Sequence, residues 1–152
     1  MRESWEAMVK RKGLGSVVKF SGWLSQSDCA SRLRQSHALV LPSLFECGGA
    51  VVLEAMAMGL PVVATDWGGP ADYLDSSCGI LVKPLSREAL VAGFKQAMSE
   101  LANSAELRTR LGDAAYNRAR AQFDWERKID KILHVYELAA RLMRMPPASS
   151  RP

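Results

Sequence analysis

Short apolar runs alternate with helix-like segments through the first half of the chain, and this alternation limits the fold more than any other feature. Continuous apolar runs of about four to eight residues are typical of strands buried on both faces of a parallel sheet. The sequence therefore predicts an α/β fold: a Rossmann-like three-layer parallel sheet with helices on both faces, followed by a helical C-terminal third. The predicted strands are Val17–Phe20, Ala38–Leu41, Val62–Thr65 and Gly79–Val82.

Helix start and stop signals lie between these runs. A helix over about Ser27–Gln35 has Ser25 or Ser27 as its N-cap. A helix over about Ala50–Met58 ends at Gly59, because glycine readily adopts the left-handed conformation that closes a helix. The other predicted helices are Ala71–Leu74, Ser86–Leu101, Ala105–Gln122 and one that starts near Trp125.

The bulk composition is that of an ordinary globular domain. The chain has 152 residues, of which 48% are hydrophobic and 24% charged, so it can bury a real core. We expect one partial domain over residues 1–145 and a frayed tail over 146–152. No apolar run is long enough to span a membrane and no leader pattern is present, which predicts a cytoplasmic protein. Three widely spaced cysteines agree with a reducing compartment, and a net charge of +4 gives no reason to expect a nucleic acid partner.

Glycine-bearing turns follow three of the predicted strands, at Gly22, Gly48-Gly49 and Gly68-Gly69. In an open parallel sheet, ligands bind beyond the carboxyl ends of the strands, so these turns would share one rim. The helix that starts near Ala50 would point free N–H groups and its positive dipole end at that rim, where a phosphate could bind. The alternative is that each turn only joins a strand to a helix.

Two glutamates flank this helix start. Glu54 lies within a helix that looks apolar on every side and so should be buried, where an ionised carboxylate needs hydrogen-bond donors. The two hydroxyls of a vicinal diol are natural donors, and an internal Arg or a backbone amide is the alternative. Glu46 lies eight residues earlier and could reach the other end of the same ligand, or it could be an exposed loop charge.

These residues belong to a longer ordered pattern. Pro42-Ser43, then Glu46 and Glu54 separated by seven residues, then Ala55–Val63 closely resemble the signature of the family-4 retaining glycosyltransferases of GT-B fold. The likeness runs from about residue 5 to residue 140. Further motifs occur in the expected order: Val18-x-Phe20-x-Gly22, Gly68-Gly69, Gly79–Val82 and Phe123-Asp124-Trp125.

The resemblance implies a role for each matching position. Glu54 would accept hydrogen bonds from the ribose of a nucleotide-sugar donor, and Glu46 would touch the donor sugar beside the reacting carbon. The transfer would proceed by front-face attack with retention of configuration, and Glu46 would stabilise the oxocarbenium ion without a covalent intermediate. No metal or cofactor is expected. Backbone amides of Gly48, Gly49, Ala50 and Val51 would face the diphosphate or sugar, and Gly22 and Leu24 would border the base.

The chain departs from the family pattern in two respects. The aromatic residue that usually follows the first glutamate is replaced by Cys47, and Phe45 is expected to take over its packing. The strand, Gly-Arg turn and Lys that open the donor-binding domain in this family have no counterpart, and neither has the N-terminal acceptor domain. We therefore expect a fragment or truncated product that is inactive alone. The alternative is a non-catalytic nucleotide- or partner-binding module, or a remnant.

The predicted last helix combines an apolar stripe with several cations. Its basic residues could contact an anionic membrane, which would place the protein peripherally at the inner membrane face. In the family that the chain resembles, the last helix usually packs back across the two domains. The cations concerned are Arg127, Lys128, Lys131, Arg141 and Arg144.

Overall fold

The computed structural model describes residues 2–144, except the side chain of Arg144, and divides the chain into two compact units at Arg32 and Leu33. The predicted tail at 146–152 and the predicted domain end at 145 lie outside the described residues. The first unit contains helix α1 (Arg2–Arg11), an irregular segment and the start of helix α2 (Gln26–Arg34). The hydroxyl Oγ of Ser25 accepts a hydrogen bond from the Asp28 amide at 3.2 Å, which confirms a predicted N-cap.

The predicted strand at Val17–Phe20 is wrong, because this segment forms a turn and then irregular backbone. The amides of Val17 and Val18 both donate to the carbonyl of Leu14, at 3.1 and 2.9 Å, so they are not available to a ladder. Val17 is also 73% exposed. A strand is stable only beside a neighbour, and among the described residues none pairs with this segment.

The second unit is built on a three-stranded parallel sheet in the order β1-β2-β3. The strands are β1 (Leu39–Leu41), β2 (Val62–Thr65) and β3 (Gly79–Val82), so three predicted strands are confirmed, with β1 one residue shorter than expected. Val40 lies opposite Val63, and Val63 lies opposite Ile80. The helices of this unit are α3 (Ala50–Ala57), α4 (Gly69–Tyr73), α5 (Arg87–Asn103), α6 (Ala105–Arg118) and α7 (Trp125–Arg144), with a π-helical turn at Ala119–Phe123 between the last two.

The central strand β2 is buried along its whole length. On one face Val62 and Ala64 belong to a cluster with Val52, Ala55 and Met56 of α3. On the other face Val63 packs in a second cluster, with Phe94 and Leu101 of α5 and Leu111 of α6. Helices therefore cover both faces of the sheet, which confirms the predicted three-layer α/β architecture.

Helix α3 ends as predicted. Gly59 has a left-handed φ of 71°, and its amide donates to the carbonyl of Met56 at 3.0 Å. The next amide, of Leu60, reaches back to the carbonyl of Ala55 at 3.0 Å, which completes a Schellman motif. The buried Leu60 then leads directly into β2, so this cap fixes the turn between the helix and the central strand.

Helix α7 presents its apolar side chains to solvent. Ile129, Ile132, Leu133, Tyr136 and Leu138, the predicted apolar face, are each at least 45% exposed, so they do not contribute to the core of the described chain. No helix within residues 2–144 is long and apolar enough to cross a membrane.

An ion pair joins the end of α6 to the loop that precedes β3. Nη1 of Arg118 lies 2.6 Å from Oδ2 of Asp75, and Nε of Arg118 donates to the carbonyl of Tyr73 at 2.7 Å. Hydrogen bonds from the hydroxyl and amide of Ser77, together with the Arg118 charge, hold the pKa of Asp75 below its ordinary value. The pair therefore ties the end of α6 to the loop that leads into the edge strand β3.

We expect Arg118→Met to lower the free energy of unfolding by about 1–2 kcal/mol at neutral pH, because the substitution removes both hydrogen bonds donated by the partly buried Arg118 guanidinium. Since folding lowers the Asp75 pKa, this contribution is present above the unfolded-state pKa and is lost as the pH falls through the folded-state value. Urea unfolding near neutral pH and near pH 3 would measure the difference. The control Arg127→Met, on exposed α7, should change little at either pH. A penalty for Arg118→Met that does not shrink at all in acid would contradict the pairing with Asp75, because only the bond to the Tyr73 carbonyl should remain there.

Candidate functional site

The loops after β1 and β2 touch each other through their backbones at the carboxyl-end rim of the sheet. A Cβ atom at Gly68 would collide with the carbonyl of Glu46, and one at Gly69 would collide with the carbonyl of Gly48. Gly68 also has φ 60° and ψ −150°, a conformation that is essentially restricted to glycine. Two of the three predicted glycine turns therefore meet on one rim.

The Glu46 carboxylate is held by its own loop. Oε1 of Glu46 accepts a hydrogen bond from the Gly49 amide at 2.8 Å, and the Glu46 side chain is half-buried. Gly49 is the N-cap of α3 and has a left-handed φ of 64°. Its amide is thus used within the protein, so the contact with a ligand predicted for Gly49 would have to come through close approach of its backbone.

The start of α3 offers unpaired donors. The N-cap Gly49 has no side chain to cap the helix, and the amides of Ala50 and Val51 have no hydrogen-bond acceptor among residues 2–144. Ala50 is exposed, and a Cβ added at Gly48 would meet open space. Free amides and the positive end of the helix dipole meet here, and this combination attracts phosphate.

Glu54 is exposed, which corrects the expectation that its helix is buried all round. Helix α3 buries Val52, Ala55 and Met56, whereas Ala50, Glu54 and Ala57 form a solvent-facing stripe. Alanine occurs on both sides of a helix, so its presence made the sequence look more uniformly apolar than the packing is. The Glu54 carboxylate has no hydrogen-bond or ion-pair partner in the part of the chain that is described, so the internal partner considered as an alternative is not found there.

A cavity of about 300 Å³ lies beside Glu54, between α3 and the end of α6. Tyr116 and Arg120 line it, and Nη1 of Arg120 donates to the Tyr116 hydroxyl at 3.3 Å. The π-helical turn contributes Phe123, whose ring meets Tyr73 edge to face at 5.2 Å. Aromatic rings and a cation therefore flank the free carboxylate, a neighbourhood that the sequence did not predict.

Gly22 and Leu24 lie in the first unit, whereas the glycines at 48–49 and 68–69 lie in the second. Gly22 has φ 70° and lines a cavity of about 390 Å³ with Trp5 and Lys19. Leu24 is half-buried. The strand at Val17–Phe20 that was expected to lead into this turn is not formed.

Three further residues stand out near the rim. Phe45 is 96% exposed, so the expectation that it replaces the missing aromatic packing is wrong. Trp67 is 54% exposed beside Gly68. Thr65, the last residue of β2, is 1% exposed, and its hydroxyl has no hydrogen-bond partner among the described residues. The sequence signal that could have revealed this unpartnered hydroxyl is a threonine at the end of a continuous apolar run.

Within residues 2–144 no three His, Cys, Asp or Glu side chains are grouped so as to hold a metal ion. The prediction that the reaction needs no metal or cofactor stays a prediction. Cys29, Cys47 and Cys78 are all free thiols. Cys47 is exposed beside Glu46, whereas burial raises the pKa of the Cys78 thiol and leaves it protonated in the core.

Comparison with known proteins identifies the family. The sequence model described as glycosyl transferases group 1 matches residues 1–118. The chain belongs to this family. It is 34% identical over 138 residues to the D-inositol 3-phosphate glycosyltransferase of Streptomyces griseus, a match that covers 90% of this chain and 28% of that protein.

Solved structures agree on the fold. Sucrose-phosphate synthase from Thermosynechococcus elongatus superposes with a TM-score of 0.71 at 28% identity, covering 93% of this chain and 35% of that one. The C-terminal domain of a group 1 glycosyltransferase from Francisella tularensis gives a TM-score of 0.70 at 26% identity, covering 82% of this chain and 63% of that one. The fold is that of GT-B glycosyltransferases, and the chain spans about a third or less of the full-length relatives it matches.

We expect Gly68→Ala to destabilise the second unit by about 3 kcal/mol or more, because the new methyl group meets the Glu46 carbonyl in a backbone conformation that disfavours it. The matched substitution Gly48→Ala should cost less than about 1 kcal/mol, because its Cβ points into open space. Urea unfolding measures both, and the NMR shift of the Gly49 amide reports its bond to Glu46. Equal costs for the two variants would contradict the described loop contact.

Proposed function

We propose that the chain supplies most of the donor site of a retaining glycosyltransferase, which transfers a sugar from a nucleotide-sugar to an acceptor. One observation carries this proposal: the free amides of Ala50 and Val51 and the unpaired carboxylate of Glu54 lie on the same helix. Glu54 lies four positions after Ala50 on the helix, a rise of about 6 Å. A nucleotide could therefore place its diphosphate on the amides and its ribose on the carboxylate.

Each polar group then has a chemical task. The amides of Ala50 and Val51 bind the diphosphate, while Gly48 lets it approach closely because no side chain intervenes. Glu54 accepts hydrogen bonds from both ribose hydroxyls. In the first unit, Gly22 and Leu24 border the base.

Glu46 would act on the reacting sugar by its charge. The Gly49 amide fixes one carboxylate oxygen at 2.8 Å, which leaves the other oxygen to face a ligand without loss of orientation. A fixed negative charge stabilises the positive charge that develops on the sugar ring as the bond to phosphate breaks. Retention then follows from attack on the face that the phosphate leaves, with no covalent intermediate on Glu46 and no metal.

The absence of cations from the two rim segments supports the inactivity of the chain alone. Neither 42–54 nor 66–70 contains Lys or Arg, so these two segments supply only amides and the helix dipole to offset the diphosphate charge. Weak donor binding without turnover is the expected behaviour. A non-catalytic binding module is the alternative, because the chain covers only 28% of the Streptomyces relative. The test is an assay of the purified chain for release of UDP from UDP-glucose or of GDP from GDP-mannose. A complete enzyme would release the nucleotide, whereas the chain alone should not.

We also propose that the protein is cytoplasmic and that α7 contacts an anionic membrane surface peripherally. It rests on exposed apolar residues such as Ile132 and Leu133 combined with the cations Lys128 and Lys131. Flotation with vesicles of phosphatidylglycerol, compared with vesicles of phosphatidylcholine, tests it without reference to catalysis.

We expect Glu54→Gln to weaken nucleotide binding about 10-fold or more, because a neutral amide accepts weaker hydrogen bonds from the ribose than a carboxylate does. Amide NMR titrations with UDP, UDP-glucose, GDP and GDP-mannose measure the affinity and name the base. The shifts should cluster at 48–54 and at Gly22 and Leu24. Glu106 is exposed in the first turn of α6 and does not line the cavity beside Glu54. Glu106→Gln therefore serves as the control and should bind like the wild type. Shifts confined to other residues, or equal binding by Glu54→Gln, would contradict the assigned site.

A further inference from the structure

Two large aromatic side chains stand free on the loops that follow β1 and β2. Phe45 is 96% exposed and Trp67 is 54% exposed, and among residues 2–144 neither ring has an aromatic or cationic partner. A ring of this size leaves apolar surface in water, and neighbouring exposed apolar residues commonly mark a binding surface. The position of the two rings therefore decides what they could bind.

The contact between the two loops places both rings at one end of the rim. Gly68 lies against the carbonyl of Glu46, and the contacts then advance along both loops towards α3. Trp67 precedes Gly68 and Phe45 precedes Glu46, so both leave the contact at the end farther along the chain from α3. From standard backbone dimensions, the Cα atoms of Phe45 and Trp67 are at most about 14 Å apart. The two rings can therefore contact one small ligand.

The functional groups of this rim occur in a fixed order. The Glu54 carboxylate and the free amides of Ala50 and Val51 lie on α3, Glu46 is held at the helix start, and the two rings lie beyond Glu46. If α3 holds the ribose and diphosphate of a donor and Glu46 faces its sugar, the rings lie next to the reacting end of that donor. The acceptor must occupy this space, because its hydroxyl has to come within bonding distance of the reacting carbon.

Aromatic rings beside carboxylates suit a neutral sugar. The face of a pyranose ring that carries C–H groups packs on an aromatic ring, while its hydroxyls donate hydrogen bonds to carboxylates. Segments 42–54 and 66–70 contain carboxylates such as Glu46 and Asp66 but no Lys or Arg. The cation that follows β3, Lys83, lines a separate cavity together with Asp66. An acceptor that carries a phosphate or carboxylate would therefore meet negative charge beside the rings.

We propose that Phe45 and Trp67 form an aromatic platform that binds a neutral pyranose ring of the acceptor and makes the site selective for it. The assignment to the acceptor rests on the proposed function, whereas the platform itself needs no nucleotide. The rings take no part in bond making; their contact holds the acceptor beside Glu46. A second copy of the chain fits this surface less well, because a two-fold contact would bring the Glu46 and Asp66 carboxylates of both chains together.

Titration of the purified chain with simple sugars tests the platform. The neutral probes are the methyl pyranosides of glucose, galactose and mannose, and methyl glucuronide is the anionic counterpart of the glucoside. The reporter is the indole N–H signal of Trp67 in the NMR spectrum, assigned by its loss in Trp67→Leu. We expect this signal to shift with at least one neutral glycoside at about 100 mM or less, and the glucuronide to bind about 5-fold or more weakly than the glucoside.

Substitution of either ring should lower the affinity for the neutral sugar. Saturation-transfer NMR observes the sugar and so measures binding in every variant. Trp67→Leu and Phe45→Leu should each weaken binding about 5-fold, because leucine keeps the apolar character but not the flat aromatic face. Trp67→Tyr should retain most of the affinity. The control Trp125→Leu, on exposed α7, should bind the sugar like the wild type. Because both rings are exposed, the urea midpoints of the variants should stay close to that of the wild type.

Several results would overturn the proposal. They are the absence of a Trp67 shift with all three neutral glycosides, equal binding of the glucuronide, or unchanged sugar binding in both leucine variants. Displacement of the glycoside by UDP-glucose but not by UDP would assign the rings to the donor sugar. A monomer–dimer equilibrium in sedimentation that Trp67→Leu abolishes would assign them to a second copy.

The donor site and the platform can fail separately. Affinity for UDP and GDP should be the same in Phe45→Leu, Trp67→Leu and the wild type, because neither ring contacts the diphosphate or ribose in this arrangement. Sugar binding at Trp67 without any nucleotide binding would reject the donor site and keep the platform. Nucleotide binding at 48–54 without sugar binding at Trp67 would reject the platform and keep the donor site.

Discussion

The backbone contact between the loops after β1 and β2 is the constraint on which the candidate site depends. Gly68 and Gly69 come so close to the carbonyls of Glu46 and Gly48 that no side chain fits between them. This contact fixes the path of the chain into α3, and the Gly49 amide then binds the Glu46 carboxylate at 2.8 Å. Glycine is required at Gly68 and Gly69 for this close backbone packing, whereas at Gly48 it leaves open space on the side where a ligand would lie.

The position of this rim follows from the burial of β2. Because both faces of β2 are covered, by α3 on one side and α5 on the other, its backbone direction is fixed by two separate clusters. The Schellman cap at Gly59 then sets how α3 returns to the sheet. The exposed stripe of α3 that carries Glu54 is thus determined by which side of the helix is needed for the core.

The local sequence pattern predicted the structure correctly where the stabilising interaction is local or the segment is fully buried. The apolar runs at Val62–Thr65 and Gly79–Val82 predicted strands with correct bounds. Ser25 and Gly59 predicted caps, because the signal and its structural partner lie close in sequence there. Pattern was insufficient at Val17–Phe20, whose apolar character suits a strand but whose amides are taken by the Leu14 carbonyl. A strand depends on a partner distant in sequence, and its own residues do not reveal whether that partner is present.

The candidate site shows the same division. The order of Glu46, the glycines and Glu54 predicted which residues would be near α3, but not that Glu54 would be exposed or that Glu46 would bind the Gly49 amide. Exposure of Glu54 depends on which alanines face solvent, and Ala50, Ala55 and Ala57 have no chemical feature that distinguishes their positions. Tyr116 of α6 and Arg120 of the π-helical turn, beside Glu54, lie more than sixty residues later in the chain and could be placed only by the fold.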